Sequence, residues 1–305
     1  MGYIAPTWQN GGPPALNAKN MQDISDNLEY VSNNMVNPNL LDNWYFGNPV
    51  NQGGQTSWSG LSDYGMTIDR WVHSPSTVAS LTSNGVTITA DWQQYVENTR
   101  LLVGQQFTMS VLTSDGRLGQ TTFTFVESID VNVGVGVGYL VIYNGQGDPR
   151  TICRIYGDGS TYLAAKLELG SQQTLAHQEN GKWVLNEIPK FGDQLAECQR
   201  YFRRLKFGPG GDDIIGAGYV YTDNFGRAML ALGAAMRTTP AMTHAPSARI
   251  IYDGTAYQAT INSVRTATSP SLVSLELSVP AIPNQSIFML VTGEPNAYID
   301  LSAEL

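Results

Sequence analysis

The chain has 305 residues, 42% of them hydrophobic but only 14% charged, and carries a net charge of −9. The length exceeds one ordinary compact domain and points to two domains with a short extension. The charged fraction falls well below the roughly 25% usual in soluble domains, and Ser, Thr, Asn, Gln and Gly fill the gap, which suits wet, weakly charged β-surfaces. The acidic balance argues against nucleic acid, whose phosphates are bound through Lys and Arg. No stretch approaches the ~18 apolar residues of a membrane-spanning helix.

Residues 1–15, rich in Gly, Pro and Asn, read as an extended arm without a secretion signal: Met1-Gly2-Tyr3-Ile4-Ala5-Pro6 has neither a basic start nor a continuous apolar run. A helix is expected from about Asn17, a suitable N-cap, with Leu16 and Met21 spaced as a hydrophobic staple. Met21, Ile24, Leu28, Val31 and Met35 recur at 3-4-3-4 intervals. So narrow an apolar stripe calls for partners, either a short oligomeric coiled coil or the surface of the next domain.

From about Pro38 the period becomes two. Val86, Ile88, Ala90 and Trp92 alternate with polar residues, as do Phe107, Met109 and Val111, and then Phe123 and Phe125. Asn-Gly or Asp-Gly pairs at 84–85, 115–116, 144–145, 158–159, 180–181 and 253–254 supply the positive φ of tight hairpins. From Val131 to Tyr143, valines and tyrosines occupy one face of a single expected strand and Gly134, Gly136 and Gly138 the other; the bare face suits close packing or a sugar platform. A second helix is expected over 193–205, capped by Asp193, with Leu195, Cys198, Tyr201, Phe202 and Leu205 on its apolar face. The loop Gly208-Pro209-Gly210-Gly211 follows it. Alternation then resumes, with Ile287, Met289 and Val291 in one strand and Ile299, Leu301, Ala303 and Leu305 in another.

The expected fold is therefore mainly β: an N-terminal arm and short coiled-coil helix (1–37), a β-sandwich (38–190), a linking helix (191–207) and a C-terminal β-sandwich (208–305). Cys153 and Cys198 lack CxxC spacing and read as buried free thiols rather than a disulfide framework.

Four ordered segments carry a family resemblance. Pro38-Asn39-Leu40-Leu41-Asp42-Asn43-Trp44-Tyr45-Phe46-Gly47-Asn48-Pro49-Val50-Asn51-Gln52 and Tyr64-Gly65-Met66-Thr67-Ile68-Asp69-Arg70-Trp71 come first. Leu167-Glu168-Leu169-Gly170-Ser171 with Thr174, and then Asp193-Gln194-Leu195-Ala196-Glu197-Cys198-Gln199-Arg200-Tyr201-Phe202, complete the set. This order resembles tail fibre and receptor-binding (minor structural) proteins of bacteriophages and prophages of Gram-positive gut bacteria. The resemblance implies a jelly-roll sandwich like a carbohydrate-binding module, a homotrimer in a virion tail, docking onto tail-tip or baseplate proteins, and host attachment through a cell-surface glycan. Release by lysis would account for the missing signal. Its motifs imply scaffold roles for Trp44, Asp69, Arg70 and Trp71.

His73, His177 and His244 are not spaced as a metal pair, and no HExxH, GxSxG or P-loop occurs. No catalytic residue, metal or cofactor is expected, and the adjacent Asp212-Asp213 suits the start of a strand. Glycan recognition needs flat rings beside amides and carboxylates. The candidates are Trp58, Tyr64 and Trp92 in the first domain, and Tyr221, Phe225, Tyr252, Asp253 and Tyr257 in the second. The main expectation is a non-enzymatic adhesin; a tail-associated polysaccharide depolymerase and a purely structural baseplate protein are the alternatives.

Overall fold

A computed structural model of the chain describes residues 19, 21–27, 37–60, 64–97, 104–124, 133–134, 139–143, 151–210, 212–222, 224–233, 235–265, 271–280 and 282–303. Among the described residues the protein is mainly β, 51% strand and 7% helix. Residues 21–27 are helical (α1), with Met21 and Ile24 exposed. Leu28, Val31 and Met35, and with them the rest of the heptad stripe, lie outside the described residues.

Among the described residues, twelve strands build the first domain. They are β1 (Ser57–Trp58), β2 (Gly65–Met66), β3 (Val72–His73), β4 (Ala79–Thr82), β5 (Gly85–Ile88) and β6 (Asp91–Val96), followed by β7 (Gln106–Thr113), β8 (Leu118–Thr124), β9 (Val133–Gly134), β10 (Tyr139–Tyr143), β11 (Thr151–Tyr156) and β12 (Thr161–Leu169). They form two six-stranded antiparallel sheets, β1-β4-β5-β12-β7-β8 and β2-β3-β6-β11-β10-β9. The chain changes sheet between β5 and β6 and again between β6 and β7, then returns at β12 to lie between β5 and β7, the roll of a jelly-roll-like sandwich. The alternating run from Val86 to Trp92 therefore spans two strands in different sheets. The single strand expected over 131–143 is corrected too: Val133–Gly134 and Tyr139–Tyr143 pair antiparallel with each other.

Large aromatic rings hold the sheets together. Trp71 stacks on Trp92 with centroids 4.4 Å apart, and Phe46 lies 5.2 and 4.8 Å from the two rings. Each indole N–H has a partner, Trp71 Nε1 donating to Asn43 O (3.0 Å) and Trp92 Nε1 to Thr67 Oγ1 (2.8 Å), so these rings are buried without an orphaned donor. Cys153 and Cys198 are buried free thiols, and burial pushes both thiol pKa values up.

A hairpin, β13 (Ala176–Glu179) and β14 (Lys182–Leu185), precedes helix α2 (Phe191–Cys198). The helix is shorter than its apolar spacing predicts and Asp193 does not cap it. Lys190 occupies the N-cap without a side-chain hydrogen bond, and Asp193 sits in the first turn, where its charge suits the helix dipole. Phe202 and Leu205 belong to a strand, β15 (Phe202–Lys206), because that segment finds a ladder partner in the far end of the chain. Tertiary pairing here overrides local helical preference.

The remaining strands are β16 (Ile214–Thr222), β17 (Phe225–Ala231), β18 (Ala241–His244), β19 (Ala248–Tyr252), β20 (Thr255–Arg265), β21 (Leu272–Ser278), β22 (Ile287–Thr292) and β23 (Tyr298–Ser302). The expected second sandwich is instead a closed barrel, β16-β17-β21-β20-β19-β22, beside a three-stranded sheet, β15-β23-β18. Strand β22 pairs with both β16 and β19 and so closes the ring. Register shifts in β16 and β20 supply the bends that closure needs. Another expectation fails in part within β22: Phe288 and Leu290 enter the core and Ile287 and Met289 face outward, while Val291, the third residue of the expected set, is buried.

Scaffold motifs weld the two domains. Arg70, 2% exposed, pairs with Asp42 (3.1 Å), donates to Tyr95 O (2.6 Å) and lies 3.4 Å from the Tyr201 ring centroid. Tyr201 donates to Glu97 (2.7 Å). Arg204 forms a bidentate pair with Asp300 (2.7 and 2.6 Å) and reaches back to Gly53 O (2.7 Å). Gln52 donates to Asp69 and, at 2.8 Å, to Phe202 O.

Candidate functional site

The site rests on the outer face of the β1-β4-β5-β12-β7-β8 sheet. In β7, β8 and β12 one parity, Phe107, Met109, Phe123 and Leu167, is buried in the core cluster. The other parity places Thr108 opposite Thr122, Ser110 opposite Gln120, and Lys166 and Glu168 opposite Ser110 and Thr108. Gly170, at φ +104°, turns the chain back over this face. Thr108 Oγ1 donates to Gly170 O (2.8 Å) and Thr122 Oγ1 to Ser171 O (3.2 Å). The β13–β14 hairpin then turns at Asn180-Gly181, both at positive φ, which is the geometry this dipeptide favours.

Between the returning segment and the sheet edge lies a cavity of about 670 Å³. Its wall combines Thr108, Gln120, Thr122, Ser171, Gln172, Gln173, Thr174, Ala176, His177, Trp183 and Asn186. Several of these are held in place. His177 Nδ1 and Asn186 Oδ1 are 2.7 Å apart, Asn186 Nδ2 donates to Thr174 O (2.8 Å), and Gln173 is hydrogen-bonded at both ends of its amide to the Ala176 backbone (2.7 and 3.1 Å). Under the wall, Lys166 Nζ donates to Thr174 Oγ1 (2.9 Å) and lies 3.6 Å from Glu168, whose carboxylate also accepts the Thr174 N–H (2.6 Å) and hydroxyl. Lys166 and Glu168 are 1% and 0% exposed, and desolvation holds the Lys166 ammonium below its usual pKa. This buried network fixes the position of Thr174.

Chemically, the wall is an array of amides and hydroxyls, which both donate and accept, beside one half-buried indole ring. Its volume falls within the ~300–1,000 Å³ of small-molecule sites. It contains no Asp, Glu, Lys or Arg. Among the described residues, no group of three or more His, Cys, Asp and Glu is arranged to hold a metal.

None of the ring candidates proposed from sequence lines this cavity. Trp58 and Trp92 are corrected outright: at 2% and 0% exposed they are core rings and cannot face a ligand. Tyr64 is 57% exposed but stands elsewhere, beside β2. Tyr252 and Tyr257 are half-buried against the barrel core, flanking an Asp253-Gly254 turn with both residues at positive φ. Asp253 is exposed. Only Tyr221 and Phe225 come together, with centroids 6.5 Å apart on the barrel. Asp212 pairs with Arg249, and Asp213 leads into β16. Trp183 and the Ser171-Gln172-Gln173-Thr174 run were missed. Their signal was an indole just after an Asn-Gly turn, near an uninterrupted amide and hydroxyl stretch.

Searches against protein-family models, curated proteins and solved structures found no match to this chain.

Proposed function

We propose that the chain is a glycan-binding host-recognition protein of a phage tail, and that the cavity beneath the β13–β14 hairpin is its sugar site. One observation carries this reading: a concave wall of amides and hydroxyls beside the Trp183 ring, held rigid from below. Sugar hydroxyls need partners that both donate and accept, and an indole face covers the apolar side of a pyranose. The absence of a carboxylate from the wall favours binding over glycoside hydrolysis, which uses two flanking carboxyl groups. The ordered motifs of residues 38–205 supply the tail setting. In this reading residues 1–37 trimerise and dock onto the tail tip or baseplate, and the β-domains meet the host surface.

The test is binding of the purified full chain to a panel of immobilised neutral and charged oligosaccharides. Wild type is expected to bind a subset. Trp183→Ala should weaken that binding at least tenfold, about 1.4 kcal/mol, and Gln120→Ala should weaken it less, both with an unchanged circular dichroism spectrum. Binding to no member of the panel, or equal binding by Trp183→Ala, would reject the site.

A further inference from the structure

The barrel has an apolar outside as well as an apolar core. Among its described residues the large hydrophobic side chains with high exposure are Ile214, Tyr219, Phe225, Met229, Leu272, Ile287 and Met289. All lie on β22, β16, β17 and β21, which are consecutive around the ring, and none on β19 or β20. Strand register joins them into one surface. Met289, Ala217 and Met229 stand side by side across three strands, and Ile287 and Tyr219 form the next row. On β20 the exposed positions are instead mostly polar, including Thr255, Gln258, Thr260 and Asn262.

We propose that this face is a contact surface for a second copy of the chain. At ordinary side-chain areas the seven exposures amount to roughly 700 Å² per copy, above the largest patch of a typical monomer and near the ~800 Å² each partner gives to a stable interface. The face carries little net charge. Its charge is one ion pair: Arg227 is held over the Tyr221 ring (4.4 Å) and lies 3.8 Å from Glu276, its neighbour in the same row. Two copies with a net charge of −9 each can therefore meet here without bringing like charges into contact. A second uncovered apolar pair, Met21 and Ile24 on α1, lies far away in sequence and gives the same sign of an incomplete single copy. The proposal is independent of the glycan reading.

The experiment uses the full chain. Light scattering coupled to size exclusion should give at least twice the mass of one chain, and Met229→Glu should weaken association at least tenfold. Because assembly through residues 1–37 would survive that change, a local readout accompanies it. Both native cysteines are buried, so in an Ile287→Cys variant the new thiol is the accessible one. It should react with Ellman's reagent at least ten times more slowly when assembled than when diluted to the single-copy state. A monomer at every concentration, or an assembly whose Cys-substituted position 287 stays fully reactive, would overturn the proposal; the first result would leave the face to a different partner, the second would assign assembly to another surface.

Discussion

The sandwich and the barrel solve the same problem with opposite materials. The sandwich hides aromatic rings and ions, with Trp71, Trp92, Arg70, Lys166 and Glu168 all nearly inaccessible, and it presents a wall of amides and hydroxyls. The barrel fills its core mainly with aliphatic chains such as Leu275, Leu277 and Leu290, and leaves Ile287, Met289 and Met229 outside. Hydrophobicity of the chain therefore does not say which surface is buried. In the sandwich the outer face carries amides and hydroxyls around a cavity, whereas on β22, β16, β17 and β21 of the barrel the outer face matches the chemistry of the interior.

This contrast can be broken at several points. The largest effect is expected from Trp92→Ala, which removes the centre of the ring stack and should cost about 3–5 kcal/mol of stability. All six tryptophans precede α2, so urea unfolding followed by tryptophan emission reports on the first domain and not on the barrel. Next comes Leu290→Ala, with an expected cost of about 2–5 kcal/mol. Its unfolding should appear in far-ultraviolet circular dichroism before tryptophan emission changes. Coincident transitions in both variants would show that the welded joint makes the two domains one cooperative unit.

The smallest effect concerns the joint itself. Burial raises the Asp69 carboxyl above the usual value, and hydrogen bonds from Gln52 oppose that rise without cancelling it. A raised pKa in the folded state means that Asp69 contributes stability fully below the ordinary carboxylate value of about 3.9. That contribution is lost as pH rises through the raised value. Relative to Asp69→Asn, wild type should therefore lose stability as pH climbs from about 4, and parallel stability–pH curves for the two proteins would show that Asp69 does not titrate in that window.

Much of the fold could be read from alternation and turns, because several sandwich strands have one polar face and the pattern there has only one solution. Phe107-Thr108-Met109-Ser110-Val111 is of this kind. In Ile287-Phe288-Met289-Leu290-Val291 both parities are apolar, so sequence cannot choose the inward one; closure of the barrel does. The helix expected over 193–205 failed at its second half for a similar reason, since the partner of Phe202–Lys206 lies almost a hundred residues away. The exposure expected of Trp58 and Trp92 fails because position relative to turns says nothing about which sheet covers a ring. The place of Trp183 in the cavity wall is not legible locally, because it depends on Gly170 folding the chain back onto β7 and β8, a long-range event.

The pairing of β15 with β23 also sets an order of events during synthesis. Strand β15 receives its ladder partner only after about ninety further residues have been added, a delay of roughly 5–20 s at ordinary translation rates. Until then Arg204 lacks Asp300, its bidentate counterion. The ladder between β15 and β23 therefore forms only once residues 298–302 have left the ribosome, and Arg204 waits until then for its counterion.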